Sequence, residues 1–124
     1  MLERPDGPAL LRTAREVLLR DLLPLLPEAS RFQARMVANA MAIAQREAAA
    51  ETGPAEAALR DALDASADDT GALLTRLAAG IRAGRHDPGG ASHTAVAAAL
   101  VRLVRLRCGV SAPKSLARQE TPHA

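Results

Sequence analysis

Leu10, Leu11, Ala14, Val17, Leu18 and Leu22 follow one another at three-four spacing behind Asp6 and Pro8. That pattern predicts an amphipathic helix capped by the Asp6 carboxylate, with Pro8 in its first turn. Pro24 and Pro27 interrupt it and predict a buried corner that holds Leu25 and Leu26. A second helix is expected from Ser30, where Ser30 and Gln33 have capping-box spacing, to Thr52-Gly53-Pro54, with Gly53 closing it. Its apolar density makes it the longest and most buried element. Gly53-Pro54 also opens a third helix over residues 55 to 65, anchored mainly by Leu59 and Leu63. Two leucines contribute about 3 to 6 kcal/mol at most, so this helix is expected to be the most mobile.

Asp68 or Asp69 is placed to cap a fourth helix carrying Leu73, Leu74, Leu77, Ala78 and Ile81. The run Gly84-Arg85-His86-Asp87-Pro88-Gly89-Gly90 breaks it and reads as a flexible connector. Ser92 then caps a fifth helix with Val96, Ala99, Leu100, Leu103 and Val104 on its inner side, and Gly109 offers a stop. The fold class is therefore all-α: a compact bundle of about five helices in one domain, residues 1 to 110, followed by a short irregular, extended tail, residues 111 to 124.

Composition sharpens this picture. Hydrophobic residues make up 48% of the 124, and Phe32 is the single aromatic, a mixture that favours helix over sheet. The first residues lack the apolar core of a signal peptide and no long uncharged apolar run occurs, so a soluble, cytoplasmic protein with no membrane contact is expected. The lone Cys108 has no partner in the chain for a disulfide, in keeping with a reducing compartment.

The net charge is only +2. Its distribution is uneven: residues 51 to 69 carry six acids against Arg60, and residues 76 to 118 carry eight bases against Asp87. These regions attract each other, within one chain or between two. Alanine-rich helices also bury little area apiece, which motivates a homodimer.

The second helix carries the one concentrated feature. At 100° per residue, Arg35, Asn39, Ala42 and Arg46 fall within about 60° of one another, beside a stripe of Phe32, Met36 and Ile43. Two readings stand. Either this is a solvated edge with arginine stems lying over leucines, or it is a polar seam that faces another helix or an anion. A buried Arg35 would require an acid such as Glu16, Asp21 or one from a second chain.

Other chemistry is mostly excluded. His86 and His93 straddle the glycine-rich break and His123 lies in the tail, so no helical pair of metal ligands forms. Asp61, Asp64 and Asp68 read as an acidic solvated face rather than a magnesium site. No phosphate-cradling Gly-Lys-Ser/Thr and no Gly-x-Ser-x-Gly elbow occurs. The basic run Val101 to Arg107 lacks aromatic neighbours to stack bases, so nucleic acid is a weak candidate, with duplex binding by a basic helical protein kept as the third reading. No cofactor or metal is called for.

Three places together resemble a bacterial family of small helical proteins known as a domain of unknown function, DUF6285. They are Arg4-Pro5-Asp6, the run from Arg31-Phe32 to Arg46-Glu47, and Val110-Ser111-Ala112-Pro113-Lys114. The family's second-helix pattern corresponds here to Phe32, Arg35, Asn39, Arg46 and Glu47, which the resemblance marks as candidate partner-binding or ligand-binding residues. Arg107-Cys108-Gly109 and Ala112 depart from the family's pattern at the end of the last helix. The resemblance implies an accessory role beside phosphotransferases of the aminoglycoside-kinase type or acyl-CoA dehydrogenases. The expectation is thus a non-catalytic interaction protein. The alternative is a small-molecule module in which Phe32, Met36 and Ile43 line a cleft and Arg35 or Arg46 holds an acyl-CoA phosphate or carboxylate.

Overall fold

The computed structural model describes residues 5–65 and 69–119. Among them there are six α-helices and no strand: α1 (Gly7–Val17), α2 (Glu28–Ala49), α3 (Gly53–Leu63), α4 (Thr70–Arg82), α5 (His93–Ser111) and α6 (Pro113–Gln119). No helix of the described residues is long and apolar enough to cross a membrane. The chain divides into two compact units, residues 51–108 forming one and residues 1–50 with 109–124 the other.

In the first unit the Asp6 carboxylate accepts from the Ala9 N–H at 3.0 Å and Pro8 stands in the first turn of α1, as expected. The helix then widens into a π turn over Leu18–Leu22 and tightens into a 3₁₀ turn over Leu23–Leu25. Pro24 has no N–H to give to an α ladder, and Pro27 forces Leu26 into extended backbone at ψ 147°. The corner is not buried: Leu25 is 79% exposed. Within it the Arg20 guanidinium, bonded to the Asp21 carboxylate, holds that carboxyl below its ordinary range.

Pro27 also explains why α2 begins at Glu28, ahead of the expected Ser30 cap. Its fixed φ of −55° and extended ψ make it the residue before the first turn, so Ser30 lies inside the helix and caps nothing. At 22 residues α2 is the longest helix, but it is not the most buried, because only Ala34 and Ala38 are fully covered. These alanines sit four apart on the face that packs against α1. Small side chains let the two backbones approach closely. Gly53 does not close α2 but opens α3 with Pro54.

The second unit is built on leucine. Leu59 and Leu63 of α3, Leu73 and Leu77 of α4, and Val96 and Ala99 of α5 form one buried cluster, with Leu73 wholly enclosed. The helix expected to be loosest therefore supplies two of its anchors. Asp69 caps α4, accepting from the Ala72 N–H at 2.7 Å. Asp68 lies outside the described residues. Asp64, in left-handed backbone at φ 50°, ends α3: the Ala65 N–H reaches the Arg60 carbonyl and the Asp64 N–H that of Asp61. Gly84, at φ 74°, ends α4 with the same two bonds, from Arg85 to Gly80 and from Gly84 to Ile81.

The glycine-rich run after α4 is stitched rather than loose. The Asp87 N–H bonds to the Gly84 carbonyl, that of Gly90 to Asp87, and that of His93 to Gly90. His86 Nδ1 lies 2.8 Å from Ser92 Oγ, whose hydroxyl donates to the Arg85 carbonyl, and His93 Nδ1 lies 2.9 Å from the His86 carbonyl. The His86 ring lies against buried Gly80, where an added Cβ would stand 2.5 Å from its Nε2. α5 runs through Gly109 to Ser111, and residues 113 to 119, expected as extended tail, form α6.

Candidate functional site

The candidate residues all belong to α2, and the helix distributes them over two sides. Ala34, Ala38 and Ala42 recur every four residues, and at 100° per residue Phe32 and Met36 fall about 120° and 160° from Ala38. The helix therefore turns its small residues inward and its large ones outward. Phe32 is 70% exposed and Met36 54%, with Val37 beside them at 50%. Ile43, further along the same stripe, is half-buried.

The polar stripe divides as well. Arg35, Asn39 and Glu47 are exposed, and no ion pair involving Arg35 occurs among the described residues. Of the acids that a buried Arg35 would need, Glu16 is exposed and Asp21 is paired with Arg20. Arg46 differs. Half-buried, it donates from Nε to the Val110 carbonyl at 2.7 Å. Val110 lies in the last turn of α5, where carbonyls have no partner within the helix and the helix dipole is negative. A guanidinium supplies both a donor and a compensating charge there.

Two further arginines of this unit also donate to backbone carbonyls. Arg15 of α1 donates from Nε to the Ala38 carbonyl at 3.1 Å, and Arg31 donates from Nε to the Leu26 carbonyl at 3.2 Å. Arginines on α2 thus have two settings. Arg31 and Arg46 brace carbonyls, and Arg35 faces solvent next to Phe32, Met36 and Asn39. What this outward surface offers is a convex apolar patch flanked by one cation and one amide, suited to covering by another macromolecule.

Fold and site together define a small all-α protein with an uncovered apolar and basic helix face. The chain belongs to the DUF6285 family, a domain of unknown function whose model matches residues 24–115. That segment begins at Pro24 and includes α2 whole, while Arg4-Pro5-Asp6 lies outside it. No protein of curated function and no solved structure matches the chain.

Proposed function

We propose that the protein is a non-catalytic accessory or interaction protein of the bacterial cytoplasm, working as a homodimer, and that it docks through the outward face of α2. The partner class implied by the family resemblance is a kinase-like phosphotransferase or an acyl-CoA dehydrogenase. One observation carries the reading: the only aromatic side chain of the chain, Phe32, is 70% exposed beside Met36 and Arg35. Leaving a phenyl ring and a thioether in water forgoes roughly 1.5 to 3 kcal/mol for each that full burial would recover, so a partner that covers them gains that energy. Aromatic and arginine side chains are also the residues that dominate binding energy at interfaces.

The test is a tagged capture from the native lysate with three baits: wild type, the double variant Phe32→Ser with Arg35→Ala, and Arg46→Ala. Wild type and Arg46→Ala should retain a phosphotransferase or dehydrogenase, and the double variant should lose it with an unchanged circular dichroism spectrum. If wild type retains neither enzyme class, or the folded double variant retains it equally, this reading is wrong.

A further inference from the structure

The second unit has an uncovered face of its own, on α5. Val96 and Ala99 point into the leucine cluster, and on the opposite side Thr94, Ala98, Val101 and Arg105 follow at four-three-four spacing. Val101 is 51% exposed and Val104, expected on the inner side, is 55% exposed, and Arg102 and Arg105 stand in solvent along one edge. Two exposed valines beside two cations make a mixed apolar and basic face, suited to covering by an acidic surface. The complementary surface is in the same unit. Opposite its buried Leu59, α3 presents Ala57 and Asp61, and Asp64 follows at its end. A shallow depression of about 330 Å³, lined by Ala57, Arg60, Asp61, Asp64 and Ala65, opens there.

The sequence separates acids from bases strongly enough that the two regions attract, yet Arg102 and Arg105 make no ion pair with Asp61 or Asp64 among the described residues. Arg60, which shares the depression, is held by Glu56 at 3.5 Å.

We propose that the outer face of α5 is the dimer interface: Val101 and Val104 lie on α3 of a second copy, with Arg102 and Arg105 reaching its Asp61 and Asp64. This rests on the dimeric part of the reading above and assigns it a surface separate from α2. A two-fold arrangement makes the same contact twice, once in each direction. The charges set the register and make association sensitive to salt.

The test is mass by light scattering with refractive-index detection, since the chain has no Trp or Tyr. Wild type at micromolar concentration in low salt should have twice the 12.9 kDa monomer mass. The double reversal Arg102→Glu with Arg105→Glu should weaken the dimer at least about tenfold, as should Asp61→Arg, since like charges placed opposite cost several kcal/mol. Mixed in equal amounts, the two folded variants should restore the dimer, because each reversed surface then meets its complement. A monomeric wild type would overturn both the interface and the dimer reading. A dimer that survives both reversals would overturn this interface alone, and so would reversals that dissociate it without rescue on mixing.

Discussion

The two units of this protein build their cores from different apolar side chains. Residues 51–108 bury leucine: Leu59, Leu63, Leu73 and Leu77 are each less than a tenth exposed. The unit that contains α1 and α2 buries alanine instead and leaves Leu10, Leu25, Phe32 and Met36 more than half exposed. What it lacks in core it partly replaces with arginines bonded to carbonyls, Arg15 to Ala38, Arg31 to Leu26 and Arg46 to Val110. The difference separates two tasks. A leucine cluster contributes stability within the chain, whereas large apolar side chains held outward contribute only when something covers them.

Leu73→Ala should have the largest effect, costing about 2 to 5 kcal/mol in equilibrium urea unfolding, because the side chain is wholly enclosed. Next comes Arg46→Ala. Removing a charged donor from the Val110 carbonyl should cost about 1.5 kcal/mol, while Arg35→Ala on the same helix should stay within about 0.5. Equal effects would erase the distinction drawn between the two arginines. Gly80→Ala should destabilise by about 1 kcal/mol, since the new methyl displaces the His86 ring from Ser92. In a His86→Ala background the sign should reverse, because alanine is the better helix former by about 1 kcal/mol. Thermal melts of the four chains in that cycle would show whether the ring and the glycine are coupled. Asp69→Ala should cost about 1 kcal/mol through loss of the α4 cap, read from the same melts.

The elements were largely legible because their signals are local. Asp6 with Pro8, Asp69, and Leu59 with Leu63 each act within a turn or two of their own helix, and each does what its spacing predicts. The ends of α2 were not, because a proline three residues earlier overrides a serine cap and a glycine before proline serves the following helix. α5 passes through Gly109 because one glycine costs only about 1 kcal/mol in a helix. The inward side of α2 has a signal of its own. Phe32, Met36 and Ile43 stand out by size, but the ridge of Ala34, Ala38 and Ala42 at four-residue spacing is the sign of close helix packing. That Arg46 braces a carbonyl 64 residues away has no local signature, since the bond depends on tertiary placement alone.

Phe32 belongs to the outside of the protein. Equilibrium urea unfolding of Phe32→Ala, followed by circular dichroism, tests it most directly. With the ring in solvent, stability should stay within about 0.5 kcal/mol of wild type, as for other surface positions. A loss of about 3 to 5 kcal/mol, the range for a phenylalanine removed from a core, would contradict it and place the ring inside.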